Sequence, residues 1–249
     1  PLLVLPSFDC FRNFSDKSYR NANSILVDRD GILWMGTDGY GVICKDPSTG
    51  QTVKRISVPG NIIVCLFLDR QDRIWIGTYL HGLFCMDGGR LVEWSKQNGK
   101  IELDTIWSIA EDSQGRIWFS DLHGNTQYLN TVDGTVSGII EGGDKLFYAG
   151  NDTMLASTYY GLREIDTRSI ETNIRFGTED GTAEFLQKRI ENVFCDSRGL
   201  VWMAHNGGIS IWDRQADKIW TISEKDGLKA RKIRCFAEDS RGQIWVGSD

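Results

Sequence analysis

The stretch DSRGLVWMAHNGG (residues 196–208) holds a lead Asp, a glycine three positions on, a Trp six positions on and a closing pair of glycines. The Asp-x-x-Gly segment reads as a tight turn. The carboxylate bonds backbone N–H groups just ahead of it, and the glycine supplies a positive φ. The apolar run around Trp202 then reads as a strand. The same frame recurs as DRDGILWMGTDG (28–39), DRQDRIWIGTYL (69–80), DSQGRIWFSDLH (112–123) and DSRGQIWVGSD (239–249). In all five copies the Trp lies six residues after the Asp. A sixth copy, AGNDTMLASTYYG (149–161), keeps the frame without the lead Asp or the Trp. Where the turn glycine is missing, Asp72 and Asp152 stand in, Asp being one of the few other residues that tolerate a left-handed backbone.

Anchored on Trp34, Trp75, Trp118, Leu155, Trp202 and Trp245, the copies are spaced 41, 43, 37, 47 and 43 residues apart. Each unit reads as four short strands: a run ending at the Asp (CLFLD, NVFCD), the Trp strand, a third strand after a glycine loop (GVICKD, GLFCMD) and a poorer fourth (TVKRI, KIWTI). Units of this length and strand count predict an all-β propeller of four-stranded antiparallel blades. A lone sheet cannot bury both faces, whereas stacked blades can. The repeated Trp residues 34, 75, 118, 202 and 245 are therefore expected as filler between neighbours, and Asp28, Asp69, Asp112, Asp196 and Asp239 as turn formers. The repeats span about 24–57, 61–95, 105–140, 144–176 and 190–222. A sixth blade is expected to combine 232–249 with strands from 1–14, closing one domain and removing exposed sheet edges. The alternative is a fragment of a seven-bladed array.

Composition narrows the function. A net charge of −6 with no basic face argues against nucleic-acid binding, and the densest basic cluster, KARKIR (229–234), reads as the solvated start of a strand. No apolar run reaches the ~18–20 residues that span a bilayer. Pro1 in place of a Met reads as the start of a fragment, so that any targeting signal or membrane segment lies outside this sequence. The cysteines at 10, 44, 65, 85, 195 and 235 recur at equivalent places (44 with 85, 65 with 235) and read as small core residues rather than a disulfide framework. Free thiols fit a reducing compartment better than an oxidising one.

The loops between strands two and three share one rim of such a fold. They carry Tyr40, Tyr79, His81, Asp121, His123, Tyr159, Tyr160, His205 and Asn206, the candidate ligand-binding set. Aromatic faces beside amides and carboxylates suit a sugar, whose C–H faces stack while its hydroxyls hydrogen-bond. The histidines lack His-x-His or His-x-x-x-His spacing, and the Asp turns lack the dense D-x-D-x-D-G run of a calcium loop, so neither metal nor cofactor is expected. No nucleophile motif is present, and no catalytic residue is assigned; a rim His acting as a lyase base stays open.

The pattern D-S-x-G-x-I-W-x-G-T resembles the two-component regulator propeller repeat. The resemblance implies a non-enzymatic sensor domain of a hybrid two-component histidine kinase, periplasmic, sensing carbohydrate fragments and dimerising, with the kinase and membrane anchor in other segments. The alternatives are a cytoplasmic protein-interaction propeller and a propeller lyase.

Overall fold

The computed structural model describes residues 22–177, 189–228 and 232–248. Six antiparallel sheets follow one another along the chain, five of four strands and one of two. Blade 1 comprises Ala22–Val27, Leu33–Thr37, Val42–Lys45 and Thr52–Ile56, and blade 2 Ile63–Leu68, Ile74–Thr78, Leu83–Asp87 and Arg90–Trp94. Blade 3 comprises Ser108–Glu111, Ile117–Ser120, Asn125–Leu129 and Ile140–Glu141. Blade 4 comprises Lys145–Tyr148, Thr153–Thr158, Gly161–Asp166 and Thr172–Gly177. Blade 5 comprises Ile190–Cys195, Leu200–His205, Gly208–Asp213 and Lys218–Ile222; blade 6 has Ile233–Glu238 and Ile244–Ser248. The expected closing strands from residues 1–14, together with Cys10, Lys229 and Arg231, lie outside the described residues. Among the described residues no helix is long and apolar enough to cross a membrane.

The turns form as the sequence predicts. Gly31, Gly115, Gly199 and Gly242 have φ of 79°, 76°, 83° and 73°, and the substitutes Asp72 and Asp152 have 65° and 56°. One carboxylate oxygen of each lead Asp gathers the turn. Asp69 Oδ1 accepts from the N–H groups of Gln71 and Arg73, both at 2.9 Å, and Asp196 Oδ1 from Arg198 and Leu200 at 3.0 and 2.9 Å. The other oxygen does something the spacing did not announce: it accepts the indole N–H of the Trp six residues on. The distances are 2.7 Å (Trp34), 2.8 Å (Trp75), 2.7 Å (Trp118), 3.0 Å (Trp202) and 3.1 Å (Trp245). Asp and Trp are one clamp, not two separate devices.

The core lies in the seams between blades. Trp34 packs with Ile63, Ile76 and Phe84 of blade 2, and Trp75 with Ile106, Ile117 and Phe119 of blade 3. Trp118 packs with Leu146, Met154 and Ile165 of blade 4. In the degenerate repeat Leu155 takes the Trp's place against Ile190, Val193 and Met203 of blade 5. Trp202 lies partly buried against the blade 5–6 cluster of Ile209, Ile211 and Ile233. Burying an aromatic side chain of this size contributes about 4–6 kcal/mol by area. Trp245 differs from the filler expected: it is 46% exposed, as are Ile25 (66%) and Val27 (56%) on the opposite end blade. Five apolar clusters fill the five seams from blade 1 to blade 6, and the described residues contribute none between blades 6 and 1.

Hydrogen bonds lace the innermost strands. Ser24 Oγ accepts from the Leu66 N–H and Ser108 Oγ from the Leu146 N–H, each at 3.0 Å, while Asn192 Nδ2 donates to the Arg234 carbonyl at 2.8 Å. These bonds tie blade 1 to 2, blade 3 to 4 and blade 5 to 6.

Candidate functional site

The loops between strands two and three turn sharply because a hydroxyl closes them. Thr37 and Thr78 donate to the carbonyls of Gly41 and Gly82 at 2.7 Å, and Thr158 to that of Gly161 at 3.1 Å. This leaves the loop tips exposed, and Tyr40, Tyr79, Tyr159 and Tyr160 are 55, 45, 65 and 62% accessible. In blade 5 His205 stands where blades 1, 2 and 4 have Thr. Its side chain turns inward instead, 5% exposed, with Nε2 at 2.8 Å from Ser210 Oγ.

A cavity of about 340 Å³ opens on the rim above blade 4. His123 lines it from the blade 3 loop, Tyr159 and Tyr160 from the blade 4 loop, and Arg163 from the third strand of blade 4. Glu141, Asp144 and Arg189 complete its polar wall. The two tyrosine rings meet edge to face, 5.2 Å apart at 77°. Arg163 is 8% exposed, with Nη1 donating to the Glu141 carbonyl at 2.7 Å and Nη2 to the Glu141 carboxylate at 2.5 Å. Arg189 Nη2 donates to Asp144 Oδ2 at 3.0 Å, and its guanidinium carbon lies 6.0 Å from the Tyr159 ring centre. Burial pushes the Asp144 carboxyl above its ordinary value of 3.8, against the pull of Arg189. The Nε atoms of both arginines are buried and have no acceptor among the described residues. Two guanidinium side chains, two carboxylates and a pair of exposed rings thus line one concavity.

A second, smaller cavity of about 250 Å³ adjoins blade 5, lined by Glu191, His205, Asn206, Lys232 and Ile233. Five of the nine rim candidates therefore fall in cavities: His123, Tyr159 and Tyr160 in the first, His205 and Asn206 in the second. The other four do not. His81 lies against the turn at Gly60, where a Cβ would meet its ring at 2.5 Å. Asp121 shapes its own loop, accepting from the His123 N–H at 2.8 Å and the Asn125 N–H at 3.0 Å. Tyr40 and Tyr79 project from the blade 1 and 2 loops, away from both cavities.

Sequence reasoning missed Arg163, Glu141, Asp144 and Arg189. One signal was available for the first. Arg163 stands where the third strands of other repeats have Ile43, Phe84, Gln127 and Ser210, so a buried charge breaks the repeat. Among the described residues no group of three or more His, Cys, Asp or Glu side chains could hold a metal ion. The described cysteines are free thiols; burial pushes Cys44 up to about 11 and Cys65 and Cys85 to about 12.

The profile of the two component regulator propeller family matches residues 16–39, 57–80, 101–123 and 227–249, four of the five Asp–Trp units described above. These are two-component regulator propeller repeats. Among solved structures, this regulator propeller is similar to the extracellular domain of a hybrid two-component system from B. thetaiotaomicron. That likeness has 18% identity and a TM-score of 0.59 over 93% of this chain, which spans 38% of that domain. It also resembles virginiamycin B lyase from Staphylococcus aureus (13% identity, TM-score 0.72, 91% of this chain and 77% of the lyase). A third likeness is to PorZ, a surface component of the type-IX secretion system of Porphyromonas gingivalis (15% identity, TM-score 0.70, 92% of this chain and 37% of PorZ). At these identities the likeness is one of fold. No curated protein matches the chain significantly.

Proposed function

We propose that this propeller is a non-enzymatic ligand-sensing module from the periplasmic sensor region of a hybrid two-component regulator, and that carbohydrate fragments bind in its blade 4 cavity. One observation carries the reading. Tyr159 and Tyr160 stand exposed over a cavity whose polar wall holds Arg163, Arg189, Glu141 and Asp144. A sugar ring offers C–H faces to the tyrosines, and its hydroxyls both accept from arginine N–H groups and donate to carboxylates. The repeat family supports the regulator assignment, and the extracellular-domain likeness supports the location. The receptor would work as a homodimer, relaying occupancy to a membrane-anchored kinase carried by other segments.

A rim imidazole acting as base needs room to take a proton from substrate, which the His205 ring lacks, being buried with Nε2 held by Ser210. His123, exposed in the blade 4 cavity, is the imidazole a lyase reading would use. The test is thermal unfolding in the presence of polysaccharide digests, where a bound fragment raises Tm. The double variant Tyr159→Ala/Tyr160→Ala is expected to melt as the parent does when alone, because both rings are exposed, and to lose the glycan-induced rise. A double variant that keeps the full rise, or a set of digests that never shifts Tm, overturns the proposal.

A further inference from the structure

The two rim cavities are not independent. Arg189 lines the first and Glu191 the second, two residues apart where the chain enters blade 5, with Arg189 Nε and Glu191 Oε1 3.8 Å from each other. The same guanidinium reaches back across the seam to Asp144 of blade 4. The Arg189–Glu191 pair thus stands between the two concavities, one partner in the wall of each. We propose that the concavities are two subsites of one groove, which takes an uncharged glycan of at least two sugar units straddling the Arg189–Glu191 pair. The inference rests on the carbohydrate reading above and adds both a minimum length and a charge class to it.

The length follows from the division of groups. The first cavity has the ring platform, Tyr159 and Tyr160, together with Arg163 and Asp144. The second has no aromatic ring but does have an exposed amide and ammonium, Asn206 and Lys232, beside Glu191. One unit stacked in the first leaves the second empty; a linked unit reaches it past Arg189. The charge class follows from the balance. Arg163, Arg189 and Lys232 oppose Glu141, Asp144 and Glu191, so the six charged side chains sum to zero. Both arginines already have carboxylate partners at hydrogen-bond distance. A ligand carboxylate or sulfate would compete with Glu141 and Asp144 for the same guanidinium groups and strand one negative charge beside another. A hydroxyl does not compete: it brings no charge, donates to the remaining carboxylate lone pairs and accepts from exposed donors such as Asn206 and Lys232.

Calorimetric titration of the intact chain with size-fractionated oligosaccharides tests this. The probes are neutral oligosaccharides of one to four units from starch, mannan, β-glucan and galactan, with oligogalacturonides and heparin-derived disaccharides as the acidic set. The expected result is that one neutral series binds with a step of about tenfold or more in Kd between one unit and two. Asn206→Ala/Lys232→Ala is expected to erase that step while leaving the single-unit affinity unchanged, and Tyr159→Ala/Tyr160→Ala to weaken every length. Equal affinity for one unit and for longer chains overturns the two-subsite inference and leaves the carbohydrate reading standing. Binding by the acidic set with none by the neutral one overturns the charge class. Failure of every glycan removes the parent reading and this inference with it.

Discussion

The indole N–H of Trp118 donates to Asp112 Oδ2 at 2.7 Å, and both side chains are completely buried. Arg116 Nε shares the same oxygen at 2.7 Å and lays its guanidinium over the rings of Trp118 and Tyr128, 5.5 and 4.6 Å from their centres. The motif therefore works as a unit, and its worth depends on how deeply its seam is buried.

Asp112→Ala strands three kinds of donor at once: the Trp118 indole, the Arg116 side chain and two turn amides. Its expected cost is about 3–5 kcal/mol in urea unfolding, typical of removing one partner from a buried charged network. Asp239→Ala removes the same motif where Trp245 is half exposed, and is expected to cost far less. Equal losses at the two sites would mean that the clamp's value does not come from burial.

Two carboxylates should respond to pH with opposite signs. Asp196 is held below its ordinary 3.8: burial alone would raise it, but bonds from Trp202, Arg198 and the Leu200 amide together outweigh that. Its stabilisation is complete above about 3.8 and drains away as pH falls through the lower folded value, so Asp196→Asn flattens the acid limb of the stability curve. Asp144 is raised, chiefly by burial, with Arg189 and Lys145 opposing and Asp121 adding a little. The fold there prefers the proton, so the parent chain loses stability relative to Asp144→Asn as pH climbs from 3.8 through the raised folded value. Chemical-denaturation midpoints across pH 3–7 measure both slopes. A slope of the opposite sign for Asp144 would show that the Arg189 pair dominates its burial.

The thiols at Cys44 and Cys85 occupy equivalent seam positions at 1 and 2% exposure, with burial pushing them up to about 11 and about 12. At pH 8 in the native protein they are expected to react with a disulfide reagent at least about a hundredfold more slowly than after unfolding, since the thiolate is the reacting form. Cys235 is exposed and is expected to be modified by the reagent in the native protein. Rapid native labelling of Cys44 or Cys85, mapped by peptide mass, would contradict the packing of the first two seams.

The scaffold was legible because it is repeated. Five Asp–Trp pairs at one spacing, with glycine or Asp at the turn, specify strand, turn and seam together, and even the substitutes Asp72 and Asp152 take the predicted backbone. The site was only half legible. Tyr159, Tyr160 and His123 are readable because a loop position in a repeat places them on the rim. Arg189 is not, since what matters is its position between Asp144 and Glu191, forty-five residues away on one side and two on the other. His205 is readable as a departure from the repeat, but not that its ring would turn inward, bond Ser210 and still line the smaller cavity.

Blade 4 is the one repeat with neither half of the clamp, having Ala149 and Leu155 where the others have Asp and Trp, and it is also the blade that holds the larger cavity. Five blades are thus committed to rigidity by a polar lock that tolerates little change. The sixth is held in place by its neighbours' seams and is free of that obligation. Innovation in such a repeat array has an address: a new specificity can arise by rewriting the unlocked unit while its five siblings keep the frame stiff.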